Sequence, residues 1–423
     1  MSRDIFWNTA GSLIYALSSM VLAFFVMRLQ GAEEGGIFGF GFSTFGQQMF
    51  IVAYFGIRPF QITDVSREYS FLEYRRFRLL TALTAAAASV LYLGFLSVSG
   101  AYTGFKALVI GLLAFYKICD GYGDVYESEL QRDGKLYLAG QLLSVRTLVC
   151  AGAFVLVLLL GGGLFAASLI AVLLQLVFLT VYHGILRRVL LSALKTPIRR
   201  GKLRMLFGGT VLLFLSVFLD FYIFSAAKYA VDLRMTDADN GIFNLLFMPT
   251  SVIYLAANFI IRPFMTRLAA AFEQRELGEF QRIRRGLSML ILGLTALGVF
   301  CALVLGRFVL GICEYLLGAS YAGLLTAHTA VFSVIILGGG LYALANLYYY
   351  VLVILRQQRT IFFVYGLLAV LALPFSDMAV RHFGLFGAVL VYLGLMVLLC
   401  LGFRTMGEIG IRRAFRQGEE NTT

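Results

Sequence analysis

Lys117, Asp120, Asp124 and Glu127 stand in the run "YKICDGYGDVYE", among aromatic and aliphatic neighbours. Spaced 0, 3, 7 and 10, they fall within roughly 80° of one helical face, along about 15 Å of its length. Two readings fit this spacing. The stripe is either a helix end emerging into water, with Lys117 paired to Asp120 or Asp124, or a polar cavity wall whose acid takes up a coupling proton or cation. A charge at mid-bilayer costs about 2.5–3.5 kcal/mol on insertion scales, so such residues usually face a cavity or a partner. Arg146 lies about ten residues into another apolar run, with Asp120 as one candidate partner. Asp220 is similarly deep, and Lys228 lies two turns further along a neighbouring part of the same face. Arg28, Arg58 and Arg262 close apolar runs, where snorkelling toward water is the plain explanation. Arg58 and Arg262 share a phrase: "FGIRPFQITD" and "NFIIRPFMTR".

None of this is covalent chemistry. The three histidines (His183, His328, His382) are scattered, and the five cysteines lack CxxC spacing. No Ser/His/Asp grouping and no phosphate-cradling glycine loop stands out. We expect no catalytic residues, no metal site and no cofactor. Polar uncharged residues in the apolar runs (Asn8, Thr9, Ser12, Gln47, Gln48, Asn244, Asn258, Asn346) suit interhelical hydrogen bonds. Sugar recognition would use the same groups, with Tyr348, Tyr349 and Tyr350 as stacking surfaces.

The elements that position these charges must live in lipid. Of 423 residues, 60% are hydrophobic and 14% charged, with a mean hydropathy of +0.86. Soluble domains are nearer 45–50% apolar and about 25% charged. The net charge of +12 does not imply nucleic acid, because the basic residues sit in short loops between apolar runs. The first run, 5–29, is too long for a signal-peptide core and is expected to stay as an anchor. About 20 apolar residues per crossing yield twelve spans, near 5–29, 37–58, 78–98, 105–124, 136–160, 164–187, 205–231, 241–263, 286–310, 323–355, 360–378 and 384–404. The tenth is overlong, and Gly338-Gly339-Gly340 is a candidate kink. With both termini cytoplasmic, 25 of the 35 basic residues fall on the cytoplasmic side and four outside, which sets the orientation.

The chain also repeats itself. "GGIFGFGFSTFGQQMFIVAYFGIRPF" (35–60) matches "NGIFNLLFMPTSVIYLAANFIIRPF" (240–264), and "FLEYRRFR" (71–78) matches "LGEFQRIR" (277–284). Six spans separate equivalent helices, so the halves share one orientation and form a parallel repeat. The expected domains are 1–203, an N-terminal six-helix bundle with a basic linker over 188–204 around Pro197, and 204–423, the C-terminal six-helix bundle with a cytoplasmic tail. In each half Arg-Pro-Phe is expected to end a helix at the cytoplasmic face, the proline turning the chain.

The opening "FWNTAGSLIYALSSMVLAFFVMRLQGAEEGGIFGFGFS" resembles the first two helices of Wzx-type bacterial polysaccharide flippases, members of the multidrug/oligosaccharidyl-lipid/polysaccharide exporter superfamily. The matching features are Asn8-Thr9, then Arg28, Leu29 and Gly31, then Gly36 to Phe38. The resemblance implies an all-α, V-shaped, alternating-access transporter in the bacterial cell membrane. Its substrate would be an undecaprenyl-diphosphate-linked oligosaccharide, its coupling ion a proton or sodium, and its associates polysaccharide assembly proteins. Lipid II flippases of the superfamily carry important arginines on helices one, two and eight, and Arg28, Arg58 and Arg262 occupy comparable helices here.

Arginine's planar fork suits phosphate oxygens. The expected substrate-binding set is therefore Arg28, Arg58, Arg146, Lys117, Lys228 and Arg262. Asp120, Asp124 and Asp220 are expected to bind a coupling ion or form ion pairs. A multidrug/cation antiporter of the same superfamily is the alternative, but it would want deep acids to outnumber cations. A polysaccharide polymerase or ligase would want a larger external loop than the longest here, about 13 residues. A major-facilitator carrier shares the 6+6 plan, but "QITDVSREYSFLEYRRFR" does not match its loop after helix two.

Overall fold

Long apolar runs can satisfy their backbone polar groups in lipid only as helices or closed barrels. The computed structural model, which describes residues 2–190, 198–199 and 201–420, is all-helical. The first helices are α1 (Ser2–Gln30), α2 (Ala32–Phe40), a π-helical turn at Gly41–Phe45, α3 (Gly46–Tyr54) and the short α4 (Ile57–Thr63). They are followed by α5 (Phe71–Val98), α6 (Gly104–Arg132), α7 (Leu136–Leu159) and α8 (Gly163–Val189). The chain continues through α9 (Lys202–Arg234), α10 (Asp237–Glu273) and α11 (Leu277–Leu317). Two 3₁₀ turns then lead to α12 (Thr329–Ile354) and α13 (Gln358–Glu420). Nine helical stretches among the described residues are long and apolar enough to cross a bilayer. This is a multi-pass membrane protein. That count omits α6, which is rich in charge, and the interrupted helix α2–α3. It also takes α13 as one stretch, although Gly384 (φ 56°, ψ −138°) breaks it.

Contacts gather the chain into two units, Met1–Phe218 with Thr236–Gly241, and Leu219–Met235 with Ile242–Thr423. In the first, α1 and α7 cross at glycines. A Cβ at Gly11 would lie 2.7 Å from the Gly140 carbonyl oxygen, and one at Gly140 only 2.4 Å from that of Trp7. Such small-residue crossings let helix backbones approach closely, which is how helices associate in lipid. Gly140→Ala must therefore push α1 and α7 apart. We expect it to destabilise the protein by about 1–3 kcal/mol, read as a lower melting temperature of the purified protein in detergent.

The capping box that starts α5 also binds Arg199. Ser70 Oγ accepts from the Glu73 N–H at 3.2 Å, and Glu73 Oε2 accepts from the Ser70 N–H at 2.8 Å. Glu73 further accepts from Arg199 Nε at 3.1 Å and Nη2 at 3.0 Å, which holds that guanidinium above its usual range. Pro197, expected at the centre of the linker, lies outside the described residues.

Two expectations are corrected. The glycine triplet is not a kink, because α12 runs unbroken through it. A Cβ at Gly338 would sit 2.3 Å from the Tyr392 ring, and one at Gly340 2.2 Å from the Thr295 side chain. The triplet lets α12 pack against α13 and α11. The excess length of the tenth span lies before α12, in the stretch that contains the 3₁₀ turn at Thr326–His328.

The second correction concerns Arg262-Pro263, which does not end a helix. α10 passes through Pro249 and Pro263 and continues to Glu273. A proline removes only one helical hydrogen bond, and "RLAAAFE" downstream is rich in strong helix formers. Arg58-Pro59 does not end a helix either: α3 stops before it, at Tyr54, and it lies in the first turn of α4. Phe55 (φ 51°) and Gly56 (φ 66°) take left-handed conformations that stop α3 and start α4. The position aligned with Gly56 is Ile260, a β-branched residue that strongly disfavours positive φ.

Candidate functional site

The polar stripe read from the sequence lies on α6, and the first unit is built round it. Asp124 is paired with Arg58 and lies 2.6 Å from Nη2 of Arg78. Arg78 is fully buried, donates to the Gly121 carbonyl at 2.9 Å, and its guanidinium lies 4.5 Å from the centre of the Tyr54 ring. One turn on, Glu127 accepts from the Tyr182 hydroxyl at 2.9 Å, with Arg146 at 3.6 Å and Arg58 at 3.7 Å. One turn back, Asp120 pairs with Arg146 at 2.5 Å and accepts from the Tyr15 hydroxyl at 2.6 Å.

The left-handed step at Phe55-Gly56 is what brings Arg58 to α6, where it also donates to Gln131 at 2.9 Å. Below it, Gln61 and Arg132 both reach Glu129 at 3.0 Å. Four guanidinium groups (Arg58, Arg78, Arg132 and Arg146) thus face four carboxylates (Asp120, Asp124, Glu127 and Glu129) in an apolar setting, where a lone charge would be prohibitive.

Lys117 stands apart from that balance. The pairing with Asp120 or Asp124 that one of the two readings held is not made, and the Tyr15 hydroxyl lies between Lys117 and Asp120. Lys117 Nζ donates to the Tyr15 hydroxyl at 3.3 Å and lies 4.1 Å from the centre of the Phe42 ring and 5.0 Å from that of Tyr15. Among the described residues it makes no ion pair. Phe42 is offered by the π-helical turn at Gly41–Phe45, the kind of irregularity that often marks functional positions.

The second unit has far fewer charges inside it. Asp220 on α9 is half-buried and accepts from the Tyr342 hydroxyl of α12 at 2.8 Å, while its other, buried oxygen has no hydrogen bond among the described residues. Lys228, two turns further along α9, is buried against the Phe247 ring at 4.7 Å and forms no ion pair among the described residues. Arg262 is exposed midway along α10, and Arg28 is exposed in the last turn of α1. Within the first unit, then, the structure brings together Arg58, Lys117, Asp120, Asp124 and Arg146. Asp220, Lys228 and Arg262 belong to the other unit.

Sequence reasoning missed Arg78, Tyr15 and Tyr182. Arg78 had one usable signal, its alignment with Arg284 in the repeat. Arg284 is also buried and paired, with Glu408 at 2.6 Å. Among the described residues no cluster of three or more His, Cys, Asp or Glu is disposed to hold a metal ion.

No protein-family model matches the sequence, and no curated protein matches it. Solved structures do match, over nearly the whole chain. An inward-facing multidrug resistance MATE family transporter of the MOP superfamily superposes with a TM-score of 0.71 at 13% identity, over 95% of this chain and 96% of the other. The eukaryotic MATE transporter AtDTX14 gives 0.61 at 11% identity, over 98% and 99%. The lipid II flippase MurJ, in an inward closed conformation, gives 0.60 at 8% identity, over 96% and 89%. At such identities the likeness is one of fold.

Proposed function

We propose that this chain is a Wzx-type flippase. It would carry an undecaprenyl-diphosphate-linked oligosaccharide from the cytoplasmic to the outer leaflet of a bacterial inner membrane, for O-antigen, capsule or teichoic-acid assembly. The proposal includes twelve crossings in two repeated six-helix halves, 1–203 and 204–423, working by alternating access with both termini cytoplasmic. The observation that carries the reading is the pair of buried lysines, Lys117 and Lys228. Lys117 packs on the Phe42 and Tyr15 rings and Lys228 on the Phe247 ring, and among the described residues neither has a carboxylate at ion-pair distance. An ammonium buried in this way is destabilising until an anion reaches it, and a diphosphate is such an anion. The guanidinium groups of Arg58 and Arg146 are already engaged by carboxylates, so their role is to hold α6 and keep Lys117 in place. Arg28 and Arg262, on exposed faces, would meet the headgroup on its way.

Asp220 favours a second reading, the cation antiporter. It is a half-buried carboxylate held by the Tyr342 hydroxyl, with a second, buried oxygen that has no hydrogen bond among the described residues, an arrangement that suits a proton, sodium or an organic cation. In the flippase reading Asp220 holds the coupling ion.

One assay separates the two. Proteoliposomes would hold either a fluorescent undecaprenyl-diphosphate oligosaccharide or a cationic dye, with and without proton or sodium gradients. Protein-dependent crossing of the lipid-linked sugar is expected. Gradient-driven dye movement with no lipid crossing would replace the flippase with the antiporter.

A further inference from the structure

The second unit contains a polar seam that the charge argument does not use. Tyr254, Asn258 and Arg262 recur at intervals of four on α10, and Tyr342, Asn346 and Tyr350 do the same on α12. That spacing draws each trio into a row within about 80° of one face and about 12 Å long. The rows match rung by rung. Tyr254 and Tyr342 stack with ring centres 5.3 Å apart and 25° between planes. One turn along, Asn346 Nδ2 donates to Asn258 Oδ1 at 3.3 Å, and the Tyr350 hydroxyl donates to the same oxygen at 3.3 Å. Asn258 spends its own amide hydrogens on the Tyr254 carbonyl at 2.9 Å. Beyond the amides comes Arg262, and beyond the stacked rings Asp220.

The seam is open. Tyr254 is 37% exposed, Arg262 is exposed, and Tyr342, Asn346 and Tyr350 are partly so. A row of amides, phenols and a guanidinium turned toward hydrocarbon would be costly, so the seam faces a wet path. Its two bonds to Asn258 Oδ1 lie beyond the usual 2.7–3.2 Å for N–H···O and 2.5–3.0 Å for O–H···O. They are long enough for a ligand hydroxyl to displace.

We infer that this seam is a saccharide subsite. The exposed Tyr254 ring takes the C–H face of a pyranose, the amides and phenols take its hydroxyls, and Arg262 takes the adjoining phosphate. Uncharged amides beside a flat ring suit neutral hydroxylated rings. A hydrocarbon chain has no use for the amides, and an organic cation would be repelled by Arg262. The inference rests on the flippase reading and deepens it.

The test uses the full chain in lipid nanodiscs and compares its affinity for bare undecaprenyl diphosphate with that for the same carrier bearing one glucosyl, galactosyl or N-acetylglucosaminyl residue. At least one sugar is expected to tighten binding about tenfold, which corresponds to about 1.4 kcal/mol. In Asn346→Leu the ratio of glycosylated to bare affinity should fall to about one. Tyr350→Phe, which removes only a hydroxyl and spares the packing, should lower that ratio about threefold. A sugar-dependent gain that persists in both variants, or is missing from the wild type, overturns the subsite and leaves the flippase standing. Failure of the wild type to bind bare or glycosylated carrier overturns both.

Discussion

Asp124→Ala should leave little folded protein: the monodisperse peak of the wild type in detergent chromatography gives way to aggregate, or its melting temperature falls sharply. Asp124 is the carboxylate shared by Arg58 and Arg78. Arg58 keeps a second acid, Glu127 at 3.7 Å, but among the described residues Arg78 keeps the Gly121 carbonyl and the face of Tyr54 with no second acid. With no exposed surface of its own, Arg78 has no route to water. Removing one partner of a buried pair typically costs about 3–5 kcal/mol, against a total stability of about 5–15 kcal/mol. Asp124→Asn keeps an acceptor oxygen without the charge and should fall between. The double variant Asp124→Leu with Arg78→Met removes both charges and should recover much of the loss, because apolar replacements of buried pairs are often neutral or better. An Asp124→Ala protein that melts like the wild type would show that the network contributes nothing to the fold.

How far the site could be read from the sequence depended on the kind of signal each residue left. The α6 stripe was legible because four charges at helical spacing inside an apolar run have few explanations. Arg78 was not. It follows Arg75 and Arg76 in a loop-like cluster, and a basic cluster between spans reads as solvated. Tyr15 was illegible for a different reason, since a tyrosine in an apolar run marks neither core nor site. Its effect is nonetheless decisive, because its hydroxyl occupies the Asp120 oxygen that Lys117 would otherwise reach.

The repeat was legible in its residues but not in its backbone. Arg58 and Arg262 align, yet one follows a left-handed step and the other sits within an unbroken helix. A single exchange, Gly56 for Ile260, separates those outcomes. Pattern matching weighs such a change lightly, although it decides which φ the chain can adopt.

The contrast between the units has a functional consequence. The first invests its buried polar groups in charge, closed on itself except at Lys117. The second buries fewer charges, among them Lys228 and the paired Arg284, and invests more in tyrosines and asparagines. A cargo with a doubly anionic centre and neutral hydroxylated rings presents both a charged and an uncharged polar surface.

Lys117→Met and Lys228→Met test that logic most directly. Methionine keeps the length and the contact with Phe42 or Phe247 while removing the charge. Losing an uncompensated buried ammonium relieves a desolvation cost, so folded yield and melting temperature should hold or rise. Transport should do the opposite. A charge-assisted hydrogen bond to a phosphate oxygen is worth about 1.5–3 kcal/mol, so each variant should slow crossing of the lipid-linked sugar about 10–150-fold. The double variant should slow it further. Stability and transport moving in opposite directions is the signature of a charge kept for its ligand. If both lysine variants are as stable as the wild type and flip the labelled lipid at its rate, the ammonium groups do not bind the diphosphate, and Arg28 and Arg262 would have to supply that contact alone.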